Sequence, residues 1–200
     1  MKKIGFLVNP IAGMGGRVGL KGTDGVAEEA ARRGAVPVAG GRAREAMEGV
    51  ERYAEIMTCS SVMGEDYLKR NFEVVYSTSE RTSADDTRNA CREFIKRDAD
   101  AIIFCGGDGT ARDVLSVVGK RVPILGIPAG VKMHSSVFSI TPNAANRIMV
   151  KFLHGNASLV ETEVMDVDET SFRRDKMKIK LYGYAISPYD RILMQMGKEI

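Results

Sequence analysis

A fully apolar segment, residues 101–105, constrains the fold of this 200-residue chain more than any other feature. Gly106 and Gly107 follow it directly, so the main chain can turn sharply where the segment ends. An apolar run this short, bounded by a glycine turn, is typical of a strand buried on both faces of a parallel sheet. Residues 3–8 and 123–127 have the same character and are predicted as strands of the same sheet.

Helical patterns separate these strands. The segment 42–57 is predicted as one helix because its apolar residues recur at helical spacing. Ser83 and the pair Thr141-Pro142 are typical helix starts. The predicted helices are residues 26–33, 42–57, 84–97, 110–118 and 142–154, with further strands at 58–63 and 72–76. Alternating strands and helices predict an α/β fold, a three-layer sandwich with a mainly parallel sheet.

The pattern changes near residue 159. Residues 163–168 and 176–182 alternate between apolar and polar side chains, which favours antiparallel strands with one exposed face. We therefore predict an α/β N-terminal domain at residues 1–158. The start of a β-rich second domain follows at residues 159–200, a length too short to complete such a domain.

Composition narrows the function classes. The net charge of +3, the absence of tryptophan and an aromatic content of 6% do not favour a nucleic-acid partner. No apolar stretch reaches the roughly 20 residues of a membrane-spanning helix, and the first apolar run is too short for a signal peptide. We expect a cytoplasmic protein with reduced cysteines and no membrane partner; self-association is left open. The three cysteines show no zinc-ligand spacing.

The sharpest chemical signal is the segment Gly106-Gly107-Asp108-Gly109-Thr110. It begins at the carboxyl end of the most apolar strand, where open α/β sheets bind ligands. Its glycines allow close approach of the backbone to a ligand, and Thr110 lies at a helix start whose amides favour phosphate. Asp108 would repel a polyphosphate unless it had a task, either to hold Mg²⁺ or to accept a proton from an attacking hydroxyl.

A glycine-rich loop, residues 9–25, follows the first strand. Asn9 opens it, and six glycines between residues 13 and 25, among them Gly13, Gly15 and Gly16, predict a non-helical loop able to cradle phosphate. The loop lacks the third glycine of the dinucleotide fingerprint, and no Walker A motif occurs in the chain.

A third loop, residues 126–136, follows the strand at 123–127 and is expected at the same edge of the sheet. Lys132 is a candidate charge partner for a phosphate, and Ser135 is a candidate phosphate contact.

These segments resemble a known signature. The five residues from Gly106 to Thr110, together with Asn9, Gly13 and the segment 126–130, are similar to the signature of the NAD kinase and diacylglycerol kinase superfamily. With Lys132, His134 and Ser135, the chain looks most like the ATP-NAD kinase-like branch. The resemblance covers about residues 2–150.

The resemblance implies an N-terminal α/β domain and a C-terminal β-sandwich with the active site between them. It implies transfer of a phosphoryl group from ATP or inorganic polyphosphate to the 2′-hydroxyl of NAD, with Mg²⁺ accompanying the donor. In that scheme Asp108 contacts or deprotonates the acceptor hydroxyl. Gly106, Gly107, Gly109 and Thr110 would hold phosphates. Two alternatives stay open: a lipid or other small-alcohol kinase of the same superfamily, and a nucleotide-binding module without catalysis.

Overall fold

The computed structural model describes residues 1–18, 27–78, 81–130, 133–167 and 179–195. Within these ranges the strands are β1 (Lys2–Val8), β2 (Ala54–Cys59), β3 (Phe72–Tyr76), β4 (Ala101–Gly106), β5 (Ile124–Pro128), β6 (Ser158–Val167) and β7 (Ile179–Tyr189). The α-helices are α1 (Met14–Arg17), α2 (Ala27–Arg32), α3 (Ala39–Met47), α4 (Ala84–Lys96), α5 (Asp108–Val118) and α6 (Pro142–Leu153). Short 3₁₀ turns occupy Val50–Arg52, Ser61–Met63 and Glu65–Tyr67.

Five parallel strands form the main sheet in the order β3-β2-β1-β4-β5. β1 lies at the centre, with β2 on one side and β4 on the other. β4 and β5 are buried along their whole length, as the apolar runs in the sequence predict for strands covered on both faces. The parallel sheet and its central strands are confirmed.

Helices cover both faces of this sheet. Along β1, Ile4 and Phe6 are buried on the face that α3 and α6 cover, whereas Leu7 is buried on the face of α4 and α5. β4 shows the same alternation, with Ile103 on the first face and Ile102 on the second. The predicted three-layer α/β sandwich is therefore confirmed.

The helix predicted at residues 42–57 is wrong in its second half. α3 ends at Met47, Gly49 follows with φ +79°, and the chain then enters β2 at Ala54. A backbone in this left-handed region stops a helix and suits glycine. β2 also precedes the strand predicted at 58–63, because residues 54–58 pair with β1 and bury apolar side chains in the sheet. Packing against β1 outweighs the local helical spacing.

The glycine-rich loop contains a short helix that the sequence did not predict. Residues 14–17 form α1, whose first residue, Met14, packs in a small apolar cluster with Ala30 and Ala35 of the α2 region. This burial compensates the entropic cost of ordering glycine in a helix. The predicted helix at 26–33 is confirmed as α2, while residues 19–26 of the loop lie outside the described ranges.

The second sheet pairs β6 with β7 in antiparallel orientation, as the alternating pattern predicts. It packs on α5: Val164 and Ala185 are buried in the same cluster as Val114 and Val118. Residues 168–178, which include the first part of the strand predicted at 176–182, lie outside the described ranges. The division into domains at residues 158 and 159 stays a prediction.

Across the described part of the chain, no helix combines the length and the apolar character that a membrane crossing requires.

The predicted N-terminal cap of α6 can be tested by mutation. Thr141 Oγ1 accepts a hydrogen bond from the Ala144 amide (3.1 Å), and Pro142 follows at the first helical position, as predicted. Thr141→Ala removes this acceptor and should lower the free energy of unfolding by about 1 kcal/mol, whereas Thr141→Ser should retain most of it. Denaturant titration measures both; equal losses for the two variants would contradict the cap.

The cysteines give a second test. Cys59, Cys91 and Cys105 are free and buried, and desolvation raises the pKa of Cys91 and of Cys105 to about 12 and raises that of Cys59 as well. Since the thiolate is the reactive form, native protein should react with iodoacetamide at pH 8 at least about 100-fold more slowly than unfolded protein. Mass spectrometry of labelled peptides measures this, and rapid native labelling of any cysteine would contradict its burial.

Candidate functional site

The main sheet reverses its strand order between β1 and β4. In open α/β sheets, ligands bind outside the carboxyl ends of the strands at such a point. Asn9 follows β1, and residues 106–110 lead from β4 into α5. We call the space that these residues border the crevice. The Asn9 side-chain amide donates a hydrogen bond to Thr110 Oγ1 (3.0 Å), so two segments distant in the sequence meet at this point.

A cavity of about 360 Å³ opens beside this hydrogen bond. Four parts of the chain line it: the end of β1 with the loop after it, the 3₁₀ turn after β2, the start of α4 and the start of α5. The lining residues are Val8, Asn9, Pro10, Ile11, Met63, Thr82, Ser83, Ala84, Thr87, Gly109, Thr110 and Asp113. Sequence reasoning recognised Ser83 only as a helix cap and missed Met63, Thr82 and Thr87. The position of Ser83 after β3 was the available signal, since that strand ends at the same edge of the sheet.

A larger cavity, about 500 Å³, lies at the opposite edge of the sheet. It is lined by residues around the amino ends of β1, β2 and β3, among them Lys3, Glu55, Phe72 and Glu73. None of the predicted site residues that the structure describes lines it. The carboxyl edge, although its cavity is smaller, is therefore the candidate site.

The start of α5 suits an anion. Gly107 occupies the N-cap position, and in the described part of the chain no side chain caps this end of the helix. The amides of a first helical turn have no partner inside the helix and carry partial positive charge. Gly109 and Thr110, from this first turn, line the cavity. Thr110 Oγ1 accepts the hydrogen bond from Asn9, so its own hydroxyl hydrogen remains to be donated.

Two glycines fix the packing of the loops around the crevice. A Cβ on Gly106 would lie 2.5 Å from Thr110 Cβ, so only glycine lets β4 turn this tightly into α5. Gly13 has φ +80°, and a Cβ there would lie 2.1 Å from the Ala129 carbonyl oxygen. The loop after β1 therefore packs directly on the loop after β5. Gly15 and Gly16 lie in α1 and do not line the cavity.

Asp108 is the first residue of α5 and is 9% exposed. Its Oδ2 accepts a hydrogen bond from the His134 amide (2.8 Å), and its Oδ1 accepts one from the Ser135 amide (2.9 Å). The carboxylate is thus oriented by the loop after β5. A carboxylate has roughly four lone-pair sites, so each oxygen keeps capacity for a further donor. Its catalytic role stays a prediction.

Ser135 is 1% exposed, and its hydroxyl is engaged with β6. Oγ donates to the Met165 carbonyl oxygen (2.8 Å) and accepts from the Met165 amide (3.0 Å). The structure therefore directs this hydroxyl toward β6, and a contact with phosphate stays a prediction. Lys132, the predicted charge partner, lies outside the described residues.

The carboxylates around the crevice already have partners. Asp108 accepts the two amides, and Asp113 pairs with Arg88 (2.7 Å). Among the described residues, no three histidine, cysteine, aspartate or glutamate side chains cluster in the manner of a metal site.

The fold and the crevice define a three-layer α/β protein with an uncapped helix start beside a cavity at its switch point. Residues 4–157 match the model of the ATP-NAD kinase N-terminal domain, and because this match spans most of the sequence, the chain belongs to that family of kinase domains. Among solved structures, the chain is similar to a diacylglycerol kinase from Bacillus anthracis str. Sterne, with 16% identity and a TM-score of 0.44. That similarity covers 84% of this chain and 43% of the kinase, so the chain spans less than half of its length. A comparison with curated proteins gives no match.

Gly107 and Gly106 form a matched pair for testing the crevice. A Cβ on Gly107 would meet open space, whereas one on Gly106 would collide with Thr110. Gly107→Ala should lower the free energy of unfolding by at most about 1 kcal/mol. If donor phosphates bind at this turn, as the family resemblance implies, the added methyl group should nevertheless weaken ATP binding by about tenfold.

Gly106→Ala should lower the free energy of unfolding by about 1–3 kcal/mol through overpacking. Calorimetric titration with ATP and denaturant unfolding measure the two effects. If Gly107→Ala binds ATP as tightly as the wild type, the open space at Gly107 is not part of the ligand site.

Proposed function

We propose that the protein is a phosphotransferase that moves a phosphoryl group from ATP or inorganic polyphosphate to the 2′-hydroxyl of NAD. The observation that carries this proposal is the meeting of Asn9 with the uncapped start of α5 at the switch point of a parallel sheet. Membership of the ATP-NAD kinase family supports the reaction class and the choice of acceptor.

In this proposal the donor phosphates lie against the first turn of α5. The amides of that turn and the Thr110 hydroxyl would stabilise the negative charge that develops on the transferred group. Asn9 donates a hydrogen bond to the Thr110 hydroxyl oxygen, and the hydroxyl hydrogen would then be donated to a phosphate oxygen of the ligand. Preorganised donors of this kind supply most of the catalysis in phosphoryl transfer.

Asp108 would receive the proton of the acceptor. As the 2′-oxygen forms its bond to the γ-phosphorus, the bond from that phosphorus to the bridging oxygen breaks and ADP leaves. The hydroxyl proton passes to a carboxylate oxygen of Asp108. Mg²⁺ bound with the donor would neutralise phosphate charge.

The predicted cytoplasmic location, small-molecule nucleotides as partners without nucleic acid or membrane, and the domain division at residues 158 and 159 belong to the same proposal. The antiparallel β6–β7 pair supports the division.

One observation favours a second candidate, a nucleotide-binding module without catalysis. Both Asp108 oxygens already accept amide hydrogens, so the carboxylate is more constrained than a free general base.

The test is product formation by the purified full-length protein. NAD is incubated with Mg²⁺ and either ATP or polyphosphate, and NADP is quantified by chromatography. Asp108→Asn should lower kcat by about 10²–10⁴-fold, the usual contribution of a positioned base, with ATP affinity within about twofold. Radiolabelled ATP with diacylglycerol or sphingosine tests the other acceptors. Binding of ATP without any phosphorylated product would favour the silent module, and a labelled lipid would favour a lipid kinase.

A further inference from the structure

The loop after β5 connects the start of α5 with β6, two elements that are far apart in the sequence. On one side it contacts Asp108 at the start of α5, and on the other it contacts β6 of the second sheet. We propose that Ser135 is a positioning residue: through its hydroxyl, β6 fixes the loop amides that orient the Asp108 carboxylate. This inference rests on the proposed function.

The contact with Asp108 is made at two points. Each carboxylate oxygen accepts one amide, from His134 at 2.8 Å and from Ser135 at 2.9 Å. Two donors from consecutive residues fix both the position and the plane of the carboxylate, which a single hydrogen bond would not do. The orientation of Asp108 therefore depends on where the loop backbone lies.

The contact with β6 fixes that backbone. Ser135 Oγ both donates to and accepts from the main chain of Met165, and the Ser136 amide donates to the Glu163 carbonyl oxygen (2.9 Å). The register of β6 against β7 shifts between Val164 and Met165. The extra residue lies on β7, whereas Glu163 and Met165, two positions apart on β6, present their main-chain groups at the same edge of that strand. A serine hydroxyl, one donor with two acceptor sites, satisfies both groups of Met165.

A direct ion pair aligns β6 with α5 at the next residue. Arg112 contacts Asp166 at 2.8 Å, and Arg112 lies one helical turn after Asp108 on the same face of α5. The strand is therefore held to α5 independently of Ser135. Removing the Ser135 hydroxyl should loosen the loop while β6 stays in place, so the effect should fall on the carboxylate.

The variants separate positioning from structural loss. Ser135→Ala keeps the amide that contacts Asp108 but removes the hydroxyl. Ser135→Cys also keeps the amide and replaces the hydroxyl with a thiol of nearly the same size. Ser135→Thr keeps the hydroxyl and serves as the rescue variant. We call the contacts that lead from β6 through Ser135 to Asp108 the relay. Ser139→Ala is the matched control outside the relay, since Ser139 is also fully buried and its hydroxyl binds the Gly126 and Thr141 carbonyl oxygens.

The expected result is a change in kcat without a change in substrate binding. Ser135→Ala should lower kcat for NADP formation by about 10–100-fold, since small displacements of a catalytic group have effects of this size. KM for ATP should stay within about twofold, and the pH dependence of kcat should change. Ser135→Cys should be intermediate, Ser135→Thr should recover most of the activity, and Ser139→Ala should keep the wild-type pH profile.

Hydrogen exchange provides a readout that does not need turnover. The amides of residues 134 and 135 should exchange at least about tenfold faster in Ser135→Ala and Ser135→Cys than in the wild type. Their exchange rates in Ser139→Ala should equal those of the wild type. If the wild type makes no NADP, the proposed function fails, and exchange alone decides the relay. If the wild type is active and Ser135→Ala matches Ser139→Ala in kcat and exchange, the relay is overturned. If Ser135→Ala does not fold, Ser135→Cys decides by the same two measurements.

Discussion

The parallel pairing of β1 with β4 is the constraint on which the rest of the structure depends. It sets Ile4 beside Ala101 and carries the register to Val8 beside Cys105. The residues that follow each strand, Asn9 on one side and residues 106–110 on the other, then emerge at the same edge. Without this pairing, the hydrogen bond from Asn9 to Thr110 would have no geometric basis, because about a hundred residues separate the two.

The crevice combines a fixed backbone with few side chains. The amides at the start of α5 and the Thr110 hydroxyl border it, and positions 106 and 13 require glycine because side-chain or backbone atoms approach too closely for a Cβ. The carboxylate of Asp108 is held by two amides of the loop after β5. Such a site is preorganised, which suits a reaction that needs positioning and charge stabilisation more than covalent chemistry.

Most of the fold was predictable because its signals are local. The runs that became β4 and β5 are apolar throughout, and the caps at Ser83 and Thr141 mark α4 and α6 where the structure has them. The segment 54–59 was not predictable in this way. Its apolar spacing fits a helix as well as a strand, and only pairing with β1 decided for the strand. α1 was likewise not predictable, because its glycines disfavour a helix and only the packing of Met14 on apolar neighbours stabilises it.

In the candidate site, too, local features were predictable from the sequence and long-range contacts were not. The sequence by itself determined which residues end the strands and begin α5, because turns, caps and buried strands depend on neighbours within a few positions. Only the tertiary structure decided the partners of those residues: Thr110 for Asn9, the loop amides for Asp108, and β6 for Ser135. These contacts join segments from separate strands and sheets. Their geometry follows from the packing of α5 between the two sheets, which no local pattern encodes.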